Sequence, residues 1–386
     1  MIWFGCISAL WALITVIPVT PDRLPAKALW FYYVFSVTGQ LFALPFALLA
    51  AIAAAFAGEA ARIALVTAAL LFALAHWRNL AAGRRLLTAS GRQDLSPPLL
   101  AGFLPFLTGG GKVRTIKDLS YGDAGDRNAL DIILPASHSD RPLPILIQVH
   151  GGAWVQGAKG QQAKPLLHHM ATHGWMCVDM NYRLGPASRC PDMIEDVLRA
   201  IAWAKARATE FGGDPSRVAI TGGSAGAHLA ALAALAHDDP AFKSGFEAAD
   251  CRVQAVIALY GRYDFLDRHG RLKANHNAVI EDFMTANVMP CAPAACPDLW
   301  KAVSPLDRVR ADAPPMLIVH GNGDTMLPYK DASEFAAALQ SEGVHALYVE
   351  LPGVQHAFDM ASTSLTWGLV RAIEAFLTRI QRHPNV

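Results

Sequence analysis

The first 80 residues of the chain contain three long apolar runs without a charged side chain. These runs cover residues 2–20, 28–58 and 63–77. A helix rises about 1.5 Å per residue, so roughly 17 to 25 residues are needed to cross a hydrocarbon layer about 30 Å thick. The first two runs are therefore long enough to span a membrane, whereas the third is marginal.

This pattern predicts a membrane anchor over residues 1–80, with two to three transmembrane helices that contact lipids through residues 2–77. Buried helices of a soluble domain are a poorer interpretation, because such long uncharged helices would need protein on every side. Pro45 predicts a kink within the second run. A cleaved signal peptide is disfavoured, since no basic segment precedes the first run and the Ala-x-Ala site at residues 55–57 lies too deep.

The basic residues beside these runs indicate an orientation. Arg23 and Lys27 lie between the first two runs, and four arginines follow the third run between residues 78 and 92. Because cytoplasmic loops are enriched in Lys and Arg, three spans would place the rest of the chain in the cytoplasm.

The six cysteines leave the compartment open. Cys190, Cys251, Cys291 and Cys296 fall in or near predicted loops, where disulfides would indicate an oxidising side and contradict that orientation. Free thiols are the simpler expectation. The spacing of Cys291 and Cys296 lacks the two-plus-two arrangement of a zinc site, so no metal is expected.

Residues 81–112 are predicted to form a connector, because they combine basic residues with two adjacent prolines and a run of three glycines. The Gly-Gly-Gly-Lys sequence at residues 109–112 is not a phosphate-binding loop. It lacks the upstream glycine of that motif, and no Ser or Thr follows the lysine.

From residue 113 onward, short β-rich runs alternate with helical patterns. Strands are predicted at residues 130–134, 145–150, 175–182, 217–221, 253–260, 316–320 and 346–351. The later runs are apolar at consecutive positions, as parallel strands covered on both faces require. The alternation predicts a doubly wound, mostly parallel α/β sheet in a domain over residues 113–386. Residues 261–315 interrupt it and are predicted to form a lid insertion.

The most informative local motif places Ser224 in the turn Gly-Gly-Ser-Ala-Gly between a predicted strand and an Ala/Leu-rich helix. Such a turn strains the serine and brings backbone segments close together, which requires glycine at 222 and 226 (Gly222 and Gly226) and a small residue such as Ala225. The serine hydroxyl then lies above a helix N-terminus, whose dipole favours developing negative charge. Ser224 is therefore the predicted nucleophile.

A second motif, His150-Gly151-Gly152-Ala153-Trp154, directly follows a predicted strand. Acyl transfer develops negative charge on the substrate oxygen, and backbone N–H groups of a glycine-rich loop can stabilise that oxyanion. An ordinary glycine turn would have the same composition. The serine turn downstream favours an oxyanion hole.

A serine hydroxyl needs a base that removes its proton and an acid that orients the base. On a sheet of this type the chain order is Ser, acid, His. Asp324 and His356 each follow one of the last two predicted strands, so they complete a triad with Ser224. Asp264 also follows a strand, but its next strand is far along the chain.

Together these segments resemble the hormone-sensitive-lipase-like (bacterial) branch of the α/β-hydrolases. The resemblance covers roughly residues 115–380 and rests on HGGAW at 150–154, NYRL at 181–184, GGDPSRVAITGGSAGAHLAA at 212–231, HGNGDTMLP at 320–328 and GVQHAF at 353–358. It implies an α/β-hydrolase fold and a serine carboxylesterase that needs no cofactor. It also implies that the N–H groups of Gly152, Ala153 and Ala225 form the oxyanion hole.

Two departures from that family limit the inference. Ala153 replaces a third glycine but keeps its N–H, whereas the altered stretch at residues 185–190 leaves the lid contacts and substrate preference open. The apolar N-terminus resembles membrane-anchored bacterial esterases and plant isoprenylcysteine methylesterases. We therefore expect a bacterial inner-membrane protein with a cytoplasmic catalytic domain.

The expected reaction is hydrolysis of a small-molecule or lipid ester through an acyl-enzyme on Ser224, and a membrane anchor suggests a lipophilic substrate. Amidase, formamidase or thioesterase activity on the same triad, or a non-catalytic binding protein of this fold, are the alternatives. A net charge of +1 argues against nucleic acid as a partner. The oligomeric state is not specified by the sequence. His228, on the nucleophile helix, is expected to be a packed side chain.

Overall fold

A computed structural model describes residues 1–19, 25–92, 112–137, 141–271 and 274–382 of the chain. The chain divides into two compact units. The first comprises Met1–Thr108, His320–Leu327 and Val349–Ala375, and the second comprises Gly109–Val319, Pro328–Tyr348 and Phe376–Val386. Two segments from the C-terminal part of the chain therefore group with the N-terminal residues.

The N-terminal part of the first unit consists of four helices: α1 at Ile2–Val16, α2 at Ala26–Leu41, α3 at Ala43–Ala55 and α4 at Glu59–Ala89. Helices α1 and α3 both pack against α4. The axes of α2 and α3 differ by 82° across the break at Phe42. Pro45 lies in the first turn of α3, where a missing N–H removes no intrahelical hydrogen bond. The kink predicted in this run is confirmed.

The lengths of the helices in the structure differ from the lengths of the three apolar runs in the sequence. Within the described residues, α4 is the one helix long and apolar enough to cross a membrane, or one of two if the bent pair α2 and α3 counts as a single span. Helix α1 has 15 residues and is too short by that measure. The third run, which by itself is of marginal length for a span, belongs to α4, the longest helix of the described residues. The charged residues on either side of this run, among them Arg62 and Arg78, continue the helix instead of ending it. By this measure the described residues contain one or two candidate spans, whereas the orientation inferred from the basic residues assumed three.

The second part of the chain forms one eight-stranded sheet in the order β1-β2-β4-β3-β5-β6-β7-β8. The strands are β1 at Val113–Ser120, β2 at Ala129–Pro135, β3 at Leu143–Val149, β4 at Met176–Met180, β5 at Gly213–Gly223, β6 at Ala255–Leu259, β7 at Met316–Gly321 and β8 at Ala346–Leu351. Strands β1 and β2 pair antiparallel, whereas β4, β3, β5, β6 and β7 are parallel. The predicted doubly wound, mostly parallel sheet is confirmed. The prediction missed β1, an edge strand whose residues are mostly exposed.

The remaining helices are α5 at Lys164–Thr172, α6 at Cys190–Arg207, α7 at Ala225–Leu235, α8 at Ala274–Asn287, α9 at Pro297–Ala302, α10 at Tyr329–Ser341 and α11 at Ser364–Arg382. Helix α7 packs against β5 and β6, and all of its residues are buried. Its alanines let it approach the sheet closely. Burial on every side makes this helix a rigid support for the turn that precedes it.

Between β6 and β7, the insertion contains α8, α9 and a disulfide that joins Cys291 to Cys296. The expectation of free thiols is wrong for this pair, because the intervening turn brings their Cα atoms to 6.2 Å, within the usual disulfide range. Cys6, Cys177, Cys190 and Cys251 remain thiols, as expected.

Candidate active site

Ser224 lies between the last residue of β5 and the first residue of α7, with φ +56°. A non-glycine residue at positive φ is strained, and such strain is typical of functional turns. A Cβ on Gly222 would lie 2.4 Å from Gly226 carbonyl carbon, and a Cβ on Gly226 would lie 2.0 Å from Val149 O. Both positions therefore require glycine, and the predicted strand–serine–helix turn has the expected geometry.

The loop after β3 packs directly against this turn. A Cβ on Gly151 would come within 2.7 Å of Gly223 O and 3.2 Å of Ser224 Cβ. Gly152 has φ +125° and Ala153 has φ +51°, so the loop follows a backbone path that L side chains rarely adopt. Within the described chain, the N–H groups of Gly152 and Ala153 have no hydrogen-bond acceptor. These two donors, next to a strained serine, are available to a negatively charged oxygen.

The ring and the backbone carbonyl of His150 make contacts that hold this loop in place. Its ring stacks on Tyr182 at 4.3 Å between centroids, and the Tyr182 hydroxyl donates to His150 O at 2.9 Å. Gly151 N donates to Gln162 Oε1 at 2.7 Å. Burial lowers the pKa of His150 to about 4, so its imidazole is neutral at pH 7. The stacking and hydrogen bonds of His150 therefore shape the loop, and its lowered pKa makes it a weaker base than an exposed imidazole.

Asp324 and His356 belong to the first unit and are hydrogen-bonded to each other. His356 Nδ1 lies 2.7 Å from Asp324 Oδ2, and both side chains are buried. The other oxygen of Asp324 accepts from Met326 N at 2.8 Å and from Leu327 N at 2.9 Å. These contacts orient the carboxylate toward the imidazole, as a base and its orienter require.

His320, at the carboxyl end of β7, makes a contact that sequence reasoning missed. Its Nε2 lies 2.9 Å from Asp324 Oδ2, the oxygen that also faces His356. Burial alone would raise the pKa of the Asp324 carboxyl, but the imidazoles of His356 and His320 outweigh burial and lower that pKa. The signal available in the sequence was the spacing of four residues between His320, at the end of the strand, and Asp324, in the turn that follows it.

Gln355 is a second residue that the sequence did not single out. Its Oε1 accepts from Thr325 N at 3.0 Å and from His356 N at 3.1 Å. Since both partners are backbone donors, the oxygen of the amide must face them. One buried glutamine thus joins the loop that carries Asp324 to the loop that carries His356.

The structure assembles the predicted residues in two groups. Ser224, Ala225 and the loop of residues 150–154 lie in the second unit, whereas Asp324 and His356 lie in the first.

His228 and Trp154 form a buried pair. Trp154 Nε1 donates to His228 Nδ1 at 3.1 Å, and His228 Nε2 donates to Val303 O at 2.8 Å. Burial lowers the pKa of His228 to about 3, which keeps the ring neutral. His228 is thus a packed side chain, as expected.

Asp264, the alternative candidate for the triad acid, accepts hydrogen bonds within its own loop, from Leu266 N and from Arg268.

A mostly parallel doubly wound sheet, a strained serine between strand and helix, and loops bearing Asp and His after its last two strands define an α/β-hydrolase. The chain belongs to the BD-FAE family, which it matches over residues 130–339. The expected fold and the resemblance to hormone-sensitive-lipase-like esterases are confirmed.

Three relatives illustrate this kinship. The probable carboxylic ester hydrolase LipM of Mycobacterium tuberculosis is 42% identical over 265 residues, which cover 68% of this chain and 61% of LipM. The isoprenylcysteine alpha-carbonyl methylesterase ICME of Arabidopsis thaliana is 29% identical over 250 residues, or 62% of this chain and 56% of that protein. The butyrate-bound esterase Est2 of Thermogutta terrifontis is 26% identical, with a TM-score of 0.56 over 70% of this chain and 94% of its own. The chain thus spans about three fifths of the length of the curated relatives that it matches.

Proposed function

We propose that the protein is a serine carboxylesterase that hydrolyses carboxylic esters through an acyl-enzyme on Ser224. The observation that carries this proposal is the strained Ser224 turn, against which the loop with unpaired N–H groups at Gly152 and Ala153 is packed. The names of the relatives, all ester hydrolases or esterases, support the same chemistry.

In the proposed reaction, His356 takes the proton of Ser224 as its Oγ attacks the ester carbonyl. Asp324 accepts from His356 Nδ1 and thereby leaves Nε2 as the basic atom. The N–H groups of Gly152, Ala153 and Ala225 would hold the oxyanion of the tetrahedral intermediate; one such donor typically contributes a factor of about 10²–10³ in kcat.

The second half of the reaction repeats these roles. His356 returns its proton to the leaving alcohol, and the acyl group stays on Ser224 as an ester. Water then loses a proton to His356 and attacks the acyl carbonyl, so the acid leaves and the serine hydroxyl is restored. No step needs a metal or an organic cofactor.

The exposed surface of the helices in the first unit supports a membrane location. Trp3 is 79% exposed, Phe31 64% and Leu70 66%, and comparable side chains lie along all four helices. Soluble monomers rarely expose apolar patches beyond a few hundred Å². We propose that α4, with or without the bent pair α2 and α3, anchors the enzyme in a bilayer and that its substrate is a lipophilic ester.

The side of the membrane that the catalytic part faces is proposed from the disulfide. Cys291 and Cys296 are bonded within the insertion at residues 261–315, and an oxidising compartment keeps such a bond intact. The positive charges that favoured the cytoplasm depended on three spans. We therefore assign the insertion to the oxidising side.

Substitution of Ser224 tests the catalytic proposal. We expect Ser224→Ala to lower the hydrolysis of p-nitrophenyl butyrate by a factor of at least about 10³ and to abolish labelling by a fluorophosphonate probe. Ser216→Ala, an exposed serine of the same strand that bonds only to Asp214, serves as the matched control and should keep full activity. Near wild-type hydrolysis by Ser224→Ala would refute the proposal.

A further inference from the structure

We propose that Gln40 of helix α2 is a positioning residue for the reaction: it holds the loop that carries His356. The N-terminal helices would then be part of the catalytic machinery as well as an anchor. This inference rests on the proposed role of His356 as the base.

The amide nitrogen and the amide oxygen of Gln40 each form a hydrogen bond with the loop that carries His356. Gln40 Nε2 donates to Gly353 O at 3.0 Å, and Gln40 Oε1 accepts from Gln355 N at 3.0 Å. Gly353 and Gln355 precede His356 in the chain by three residues and by one residue. A planar amide bonded at both ends fixes the rotation of the loop as well as its position, because the donor and the acceptor cannot exchange places.

The contact extends to the second triad loop through Gln355. Gln40 fixes the backbone of Gln355, and the Gln355 side chain accepts from both His356 N and Thr325 N. Thr325 follows Asp324 directly. Gln40 is therefore part of a hydrogen-bond network that sets the distance between the Asp324 carboxylate and the His356 imidazole.

Gln40 is itself held in place by helix α4. Asn79 Nδ2 donates to Gln40 O at 2.8 Å, and the side chain of Asn79, a residue of α4, is buried. A buried side-chain amide is costly unless its polar atoms are paired. The pairing of Asn79 with Gln40 explains its presence there and links the long helix to the catalytic loop.

Helix α2 also contacts the imidazole directly. The ring of Tyr33 lies 6.3 Å from the ring of His356 between centroids, at an interplanar angle of 65°. Tyr33 is two turns of helix before Gln40, so one helix contacts both the base and the loop behind it. All of these residues belong to the first unit.

A purely structural glutamine would stabilise the fold without changing turnover. A positioning residue should act on kcat, since a displacement of about 1 Å in a reacting group costs about 10²-fold in rate. Substrate binding needs no exact imidazole position, so KM should hardly change. The split between kcat and KM therefore separates the two roles.

The test uses the full-length protein in detergent, with p-nitrophenyl butyrate as the substrate. Gln40→Met keeps the size of the side chain and removes both hydrogen bonds, and we expect kcat to fall about 10- to 100-fold with KM within about twofold of wild type. Gln40→Glu keeps the acceptor for Gln355 N and should recover part of kcat. Thr38→Val is the control and should not alter kcat, because within the described residues the Thr38 hydroxyl bonds only to Val34 O of its own helix.

Two results would overturn the inference. One is a kcat for Gln40→Met equal to that of Thr38→Val; the other is a lower melting temperature with unchanged kcat per fluorophosphonate-labelled molecule, which would assign Gln40 a structural role only. Failure of the proposed function itself is distinguishable, because hydrolysis would then survive Ser224→Ala whatever stands at position 40.

Discussion

His320 Nε2 lies 2.9 Å from Asp324 Oδ2, so the carboxylate that orients the proposed base has a second imidazole on the same oxygen. Both side chains are buried. A buried carboxylate is costly without donors, and His320 supplies one in addition to His356 and the backbone. This contact makes His320 part of the support for the site.

Removal of the His320 imidazole should therefore weaken catalysis. A hydrogen bond to a charged group contributes about 1.5–3 kcal/mol, so we expect His320→Leu to lower kcat/KM about 10- to 100-fold. His345→Leu is the control, since His345 stacks on Phe376 and does not contact Asp324. Equal activities of the two variants would contradict the assigned role.

The same substitution should change the response to acid. The pKa of Asp324 is lowered in the folded protein, so its carboxylate adds stability above the unfolded pKa, and that stability is lost as the pH falls through the folded value. Without His320 the folded pKa rises toward the unfolded value, so the carboxylate contributes less stability at neutral pH, and we expect the free energy of unfolding to fall less between pH 7 and pH 3. Urea unfolding of wild type and His320→Leu between pH 3 and 7 measures this shift, and superimposable pH curves would count against it.

The choice of Asp324 over Asp264 can be tested with two matched variants. Asp324→Asn should lower kcat by about 10³–10⁴, because the amide no longer holds His356 in the productive tautomer. Asp264→Asn loses contacts inside its own loop, so it should reduce the melting temperature and leave kcat within about threefold of wild type. The reverse order of kcat values would transfer the acid role to Asp264.

One of two substitutions in the loop after β3 should lower kcat, and the other should leave it unchanged. A Cβ on Gly152 would lie 2.1 Å from Gln156 O, so Gly152→Ala must displace the loop, and we expect kcat to fall about 10²-fold or more. Ala153 has φ +51°, and Ala153→Gly relieves this strain, keeps the N–H and should leave kcat unchanged. Steady-state kinetics on p-nitrophenyl butyrate compare the two; an unaffected Gly152→Ala enzyme would exclude this loop from the site.

The disulfide gives a test of the compartment. In intact cells, Cys291 and Cys296 should react with a maleimide–polyethylene glycol reagent only after reduction, whereas the exposed thiol of Cys6 should react without it in detergent. A gel shift of the unfolded protein counts the modified cysteines. Modification of both insertion cysteines without a reductant would show that they are thiols and remove the argument for an oxidising side.

Several features of this protein could be predicted from the sequence because the required residues are close together in the chain. Gly222 and Gly226 are needed within one turn, and no side chain fits at either position. Consecutive apolar residues in β3 and β6 reflect burial on both faces of each strand. The loops of Asp324 and His356 were predictable for the same reason: each follows an apolar strand directly.

Only the tertiary structure decided how these pieces are supported. Helix α4 continues through charged residues, so the absence of charge in the sequence did not mark its ends. The hydrogen bond from Gln355 N to Gln40 joins residues 315 positions apart, and no local sequence pattern predicts such a pair. Local geometry imposes residue types that can be read from the chain, whereas long-range hydrogen bonds depend on which surfaces meet after folding. The serine turn could therefore be predicted from the sequence, whereas the contact between helix α2 and the loop that carries His356 could be found only in the tertiary structure.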